Sequence, residues 1–132
     1  LGMKKALIVH SMGLDELTPC GPADVMEVSK DGVKTYTFEP SKVGIKKCEL
    51  KDLAGGDAKL NAKILREALG GETGPVAETL ILNAGVAMAA AEQAASVEEG
   101  IAMCREAHKT GKGGEKLDRW IQLTQECKKA GL

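Results

Sequence analysis

The sequence is poor in aromatic side chains, in histidine and in closely spaced cysteines, and each shortage removes a class of function. One Trp, one Tyr and one Phe among 132 residues leave almost no stacking platform for nucleic-acid bases. Basic residues number 18 against 19 acidic ones, so no broad field draws the chain to nucleic acid or to an anionic membrane surface. No apolar run approaches membrane-spanning length, and nothing near the start has the pattern of a signal peptide. Nucleic acid and membrane are therefore not expected as partners. The four cysteines, Cys20, Cys48, Cys104 and Cys127, lie far apart with no C-x-x-C pair. That spacing favours free thiols in a reducing compartment over a disulfide framework or a zinc site. With two histidines and scattered cysteines, no triad or nucleophile–base pair can be assembled.

An initiator methionine is missing too. The chain opens Leu1-Gly2-Met3-Lys4-Lys5, and because helices often end in glycine, Leu1-Gly2 reads as the tail of a helix. The length suits one domain with a real core. Ala6-Leu7-Ile8-Val9 is a compact apolar run without alternation, which suits a strand buried on both faces, as in a parallel sheet. A buried helix segment has the same look over so short a span; Gly13 and the branched residues favour the strand. Such a strand needs neighbours, and no second run of this kind is present. The sheet is therefore expected to be incomplete, and the chain to be the C-terminal part of something longer.

After the strand come His10, Ser11, Gly13 and the adjacent carboxylates Asp15 and Glu16. Ligands gather at the carboxyl ends of strands in open parallel sheets. Adjacent acids in a loop are common, but hard oxygen donors at this place suit Mg²⁺, which one or two carboxylates hold together with waters and substrate phosphates. Thr18-Pro19-Cys20-Gly21-Pro22 is a loop. Asp24–Ser29 and Val33–Phe38 alternate around Lys30-Asp31-Gly32, the signature of a hairpin, with Tyr36 and Phe38 on one face as core residues. Ser41–Leu53 is expected to hold a short extended segment that docks the hairpin.

Helices follow. Asp57 is a suitable N-cap for Ala58–Leu69, with Leu60, Ile64, Leu65 and Ala68 as its stripe and Gly70-Gly71 as its end. Gly55-Gly56 before it would be able to cradle phosphate, yet lacks a preceding buried strand and a lysine, so a plain cap is the expectation. Pro75 opens a helix to about Ala95 that is apolar most of the way round and so central; its alanines and Gly85 let another helix come close. Asn83 within it needs internal partners, most simply a loop backbone. Ser96 and Glu99 form a capping box for a third helix with stripe Val97, Ile101, Cys104 and His108. His108 is expected to complement that helix's carboxyl end. Lys112-Gly113-Gly114 is a connector to a last helix, Glu115–Lys129, whose face is Leu117, Trp120, Ile121, Thr124 and Cys127.

KKALIVHSMGLDEL, the hairpin, and then KDLAGGDAKLNAKILREALGGETGPVAETLILNAG together resemble the C-terminal portion of anthranilate phosphoribosyltransferases. The likeness runs from Lys4 to about Gln125, and the HSMGLDE form is most similar to plant and algal members. It implies an α/β fold, with residues 1–132 as the C-terminal portion of the family's α/β domain. The implied activity is transfer of phosphoribose from phosphoribosyl pyrophosphate (PRPP) to the amine of anthranilate, in tryptophan biosynthesis. Asp15 and Glu16 match the family's acidic pair that binds Mg²⁺; no residue of this segment is implied as catalytic. The family's glycine-rich phosphate loop, most anthranilate contacts and the helical domain that forms its dimer lie upstream. The segment alone is therefore expected to be inactive and to associate into oligomers, and a homo-oligomer is expected of the whole. The location implied is the plastid stroma for a plant or algal source and the cytoplasm otherwise. The competing expectation is a non-catalytic binding or assembly subunit of the same fold.

Overall fold

A computed structural model describes residues 2–131; Leu1, expected with Gly2 to end a helix, lies outside them. Strands β1 (Lys5–Ser11), β2 (Ala23–Ser29) and β3 (Gly32–Phe38) are followed by helices α1 (Ala58–Leu69), α2 (Pro75–Ala90), α3 (Val97–Lys109) and α4 (Lys112–Lys129). The fold is α/β, as expected, with the strands in the order β1-β2-β3, every pair antiparallel.

The hairpin turns at Lys30-Asp31, and its register places Ala23 opposite Phe38 and Val25 opposite Tyr36. On the other side of β2, Val9 faces Val25 and Ser11 faces Ala23. Paired residues share a face, so Leu7, Val9, Ala23, Val25 and Phe38 point inward together. They meet Leu17, Ile45, Ile81, Leu82 and Ile101 in one core.

Expectation and structure part company at β1. It is not buried on both faces: Ile8 is 53% exposed, beside Met26 on β2. Its pairing is antiparallel, and the helices among the described residues cover only the inner face. Four apolar residues in a row therefore fill one face with Leu7 and Val9 and leave Ile8 on the other. Tyr36, on β3 at one edge of the sheet, also falls short of the core at 42% exposed; Phe38 does pack on it.

The Ser41–Leu53 stretch is not extended but holds 3₁₀ turns at Pro40–Val43 and Leu50–Leu53. It still docks the sheet, through Ile45 at 4% exposed. Helix α1 has the expected bounds, and Asp57 Oδ1 accepts from Leu60 N–H at 2.8 Å. Ala68 is buried in its stripe and Ile64 half-buried, whereas Leu60 and Leu65 are exposed. Helix α2 stops at Ala90, five residues before the expected end. Glu92 has φ 57°, and the N–H groups of Gln93 and Ala94 turn back onto Met88 O. Local alanine propensity loses there to the approaching N-cap of α3.

Half of the expected capping box forms: Ser96 Oγ accepts from Glu99 N–H at 3.2 Å, but Glu99 Oε2 accepts from Ala95 N–H, one residue before the N-cap, not from Ser96 N–H. Helices α2 and α3 cross in contact at two glycines. A Cβ on Gly85 would sit 2.8 Å from the Ile101 backbone N, and one on Gly100 would strike the Gly85 carbonyl. Lys112-Gly113-Gly114 is the first turn of α4, not a connector. Its glycines let α4 close on the end of α1, where a Cβ on Gly113 would lie 3.1 Å from Leu69 O. On α4, Leu117 and Ile121 are half-buried, but Trp120, Thr124 and Cys127 of the expected face are exposed. No helix among the described residues is long and apolar enough to cross a membrane.

Candidate functional site

The chain leaves β1 and reverses within two residues. Ser11 N–H donates to Leu14 O at 3.0 Å, and Leu14 N–H donates to Ser11 O at 2.9 Å. Met12 and Gly13 between them have φ of 53° and 86°, the pair of positive angles that a type I′ reversal requires. Gly13 adopts its angle freely, whereas Met12 bears a strain on the order of 1 kcal/mol. Asp15 and Glu16 come next, and both are exposed.

Leu17 then returns to the core at 2% exposed. Its N–H donates to Asn83 Oδ1 at 3.1 Å, and its carbonyl accepts from Asn83 Nδ2 at 2.7 Å. The carboxamide on α2 thus stands in for a neighbouring strand across one residue. The same Nδ2 donates to Thr79 O at 2.9 Å, which fixes the side chain on its own helix. Asn83 is the loop-binding asparagine that the sequence called for.

A second anchor lies beneath the turn. Ser11 is 1% exposed and donates through Oγ to Pro22 O at 3.2 Å. A hydroxyl has one proton to give, so Thr18, whose Oγ1 is 3.1 Å away, donates to Ser11. Thr18 Oγ1 in turn accepts from Cys20 N–H at 3.3 Å. This hydroxyl chain ties the end of β1 to the whole Thr18–Pro22 loop. Asp15 and Glu16 are therefore held on a short arc between buried fixed points.

The donor set of that arc is two exposed carboxylates. Among the described residues no group of three or more His, Cys, Asp and Glu gathers that would enclose a metal ion. An all-protein cage of the kind that suits Zn²⁺ or Ca²⁺ is not formed by these residues. Two exposed carboxylates do fit Mg²⁺, which retains several waters and shares its shell with phosphate oxygens.

Other residues raised by the sequence have different duties. His10 is exposed on the outer face of β1. His108 Nε2 lies 3.1 Å from Glu72 O, so it bonds across to the α1–α2 loop. Gly56 N–H is taken by Asn61 Oδ1 at 2.8 Å and Gly56 O by Asn61 Nδ2 at 3.0 Å. The Gly56 amide is therefore engaged within the cap, the plain capping that the sequence suggested. Arg105 grips Glu78 through two contacts of 2.5 and 2.8 Å, and its Nη2 also donates to Gly44 O at 3.1 Å. That bonding to Glu78 raises the guanidinium's pKa further.

The sequence profile described as "Glycosyl transferase family, a/b domain" matches residues 1–113. The chain belongs to this family. The expected likeness to anthranilate phosphoribosyltransferases is also borne out. The enzyme of that name from Desulfatibacillum aliphaticivorans is 39% identical over 127 residues, covering 96% of this chain and 38% of its own length. The one from Methanocorpusculum labreanum is 39% identical over 124 residues, covering 94% and 36%. The chain thus spans little more than a third of these relatives. Among solved structures, the Thermus thermophilus enzyme superimposes with a TM-score of 0.81 at 38% identity, over 89% of this chain and 35% of that one. The Saccharomyces cerevisiae enzyme in complex with PRPP and Mg gives 0.78 at 28% identity, over 88% and 34%.

Two features of the site had no signal in the sequence. One is the buried Ser11–Thr18 hydroxyl pair, since serine and threonine around a proline-rich loop are ordinary. The other is the approach of Cys20 to Cys48 within 3.6 Å between sulfurs. Residues 28 apart announce no contact, and only the docking of Ile45 brings them together.

Proposed function

We propose that this chain is the metal-binding segment of an anthranilate phosphoribosyltransferase, with Asp15 and Glu16 as its Mg²⁺ ligands. The observation that carries this reading is the acidic pair itself, held by two buried anchors at the carboxyl end of β1 in a chain of this family. The yeast structure with PRPP and Mg supports the metal and the donor substrate. Another yeast structure, in complex with 4-fluoroanthranilate, supports the acceptor.

The reaction breaks the bond between ribose and pyrophosphate and joins the ribose carbon to the anthranilate amine. Negative charge builds on the departing pyrophosphate, and a bound Mg²⁺ supplies its neutralisation. This chain's part is to present two exposed carboxylates on an anchored loop without enclosing the ion, so that waters and phosphate oxygens would complete the shell. In the whole enzyme, which works as a homo-oligomer, the glycine-rich phosphate loop and the helical domain are supplied outside residues 1–132. The uncovered Ile8 face and the unpaired edge of β1 give the rest of the sheet a place to join.

The test uses the protein purified from its source. An intact mass well over twice 13.9 kDa is expected, together with loss of anthranilate fluorescence that requires both PRPP and Mg²⁺. Replacing the pair, as Asp15→Asn with Glu16→Gln, is expected to lower kcat/KM for Mg-PRPP on the order of 100-fold or more. A native mass near 13.9 kDa without activity would overturn the enzyme in favour of a non-catalytic binding subunit. Full activity in the double variant would overturn the ligand assignment alone.

A further inference from the structure

We propose that Cys20 and Cys48 are an oxidisable dithiol that closes to an intrachain disulfide, locking the loop behind the acidic pair to the segment that follows the hairpin. Their sulfurs are 3.6 Å apart, which is van der Waals contact, and a disulfide needs about 2.05 Å. The remaining closure falls to rotation of the two side chains, each carried on an anchored stretch of backbone.

Cys20 is 7% exposed and its N–H is bonded to Thr18 Oγ1 within the hydroxyl chain. Cys48 follows Ile45, whose side chain is sunk in the core, and Gly44, whose carbonyl is held by Arg105. Neither cysteine sits on a free end. Cys48 is half-exposed, so a soluble oxidant can reach its sulfur while Cys20 waits behind it. Burial and the hydrogen bond with Cys20 raise the Cys48 thiol to about 11, so it reacts slowly near neutrality.

The chemistry balances with a small-molecule disulfide such as oxidised glutathione. The Cys48 thiolate attacks one sulfur, forming a mixed disulfide and expelling one glutathione thiolate. The Cys20 thiolate then attacks Cys48 Sγ, forming the Cys20–Cys48 bond and expelling the second glutathione thiolate. Two cysteine thiols lose two electrons and two protons, and the oxidant is reduced to two thiols. The link encloses β2, β3 and the first 3₁₀ turn in one covalent loop.

The experiment treats the purified whole protein carrying Cys127→Ser, which removes the exposed thiol, with oxidised glutathione under native conditions. Denatured samples are then blocked, digested and mass-mapped without reduction. The expected product is a monomer lighter by two hydrogens, with the Cys20 and Cys48 peptides joined and Cys104 blocked as a free thiol. Dithiothreitol should restore both free thiols. Cys20→Ser, checked for folding by circular dichroism, should instead accumulate glutathione on Cys48. Glutathione persisting on Cys48 in the presence of Cys20, or cross-links that run only through Cys104 between chains, would overturn the proposal. So would no reaction at either sulfur while an unfolded control forms the bond. None of these readouts depends on Mg²⁺ or on enzymatic activity.

Discussion

Removing the carboxamide that holds Leu17 is the sharpest perturbation the structure offers. Asn83→Ala deletes three hydrogen bonds, at 3.1 Å from Leu17 N–H and at 2.7 and 2.9 Å to the carbonyls of Leu17 and Thr79. Thr79 O keeps its helical bond from the backbone of residue 83, so its loss is small. Leu17 has no such reserve: at 2% exposed, its N–H and carbonyl are both left without a partner. An orphaned buried polar group costs about 1–3 kcal/mol, and water entering the half-buried space vacated by Asn83 recovers part of that. The sum is a destabilisation of roughly 2–4 kcal/mol, or a fall in Tm of roughly 6–15 °C for a chain of this size. Urea unfolding and hydrogen exchange at the Leu17 amide measure the two ends of the argument. Asn83→Asp adds a finer test, because a carboxylate still accepts from Leu17 N–H but repels Leu17 O. Its new carboxyl is therefore expected to have a raised folded-state pKa, so the variant regains stability as pH falls through that raised value, where the protonated form can donate, and the recovery is complete by about pH 4. A cost below about 0.5 kcal/mol for Asn83→Ala, with Leu17 exchange unchanged, would refute the reasoning.

Gly100→Ala is expected to destabilise the fold by roughly 2–3 kcal/mol in urea unfolding, because the added methyl strikes the Gly85 carbonyl and overpacks the α2–α3 contact; a gain from helix propensity alone would show the helices are not in contact there. Alkylation of Cys48 by iodoacetamide should be at least about tenfold slower at pH 8 than that of a small free thiol, the scarcity of thiolate outweighing its greater nucleophilicity. Its rate should climb until pH passes about 11, and a plateau by about pH 9, where ordinary thiols are already ionised, would count against the raised value. The sign for stability follows: the neutral thiol is favoured by folding, so its contribution is whole below the ordinary thiol range and is lost as pH rises through about 11.

Local chemistry was legible wherever a rule acts within a few residues. Asp57, Ser96 and the Lys30-Asp31-Gly32 turn each satisfy or reverse a backbone within three or four positions, and each stands where the sequence put it. Asn83 was legible as a need rather than as a contact, since a polar side chain in an apolar helix demands partners but does not name them. What failed were inferences that required knowing the neighbours. The apolar run in β1 suits a strand of a parallel sheet, yet among the described residues its partner is β2, antiparallel, and its outer face is open. Gly113 and Gly114 were read as a break, because glycine disfavours helices by about 1 kcal/mol each relative to alanine. Their contact with the end of α1 gives them a packing reason to be helical.

The acidic pair shows why motif and geometry carry different information. Two carboxylates in a loop state a chemistry, but their usefulness to a metal depends on how little they wander. That restraint comes from residues with no charge at all. Ser11 and Leu17 are 1% and 2% exposed, and they bracket an arc whose middle faces water. The upstream bracket closes on Leu14, Thr18 and Pro22, all close in sequence. The downstream bracket closes on Asn83, 66 residues away. An ion drawing on Asp15 and Glu16 would therefore sense the packing of α2, although no residue of α2 supplies a ligand. The arc is also linked to the thiols, since the hydroxyl chain that holds Ser11 ends at the Cys20 amide. Helix α2 and the Cys20 amide are thus both tied to the backbone of a single loop, and Asn83 is the residue where the tie to the helix is most directly broken.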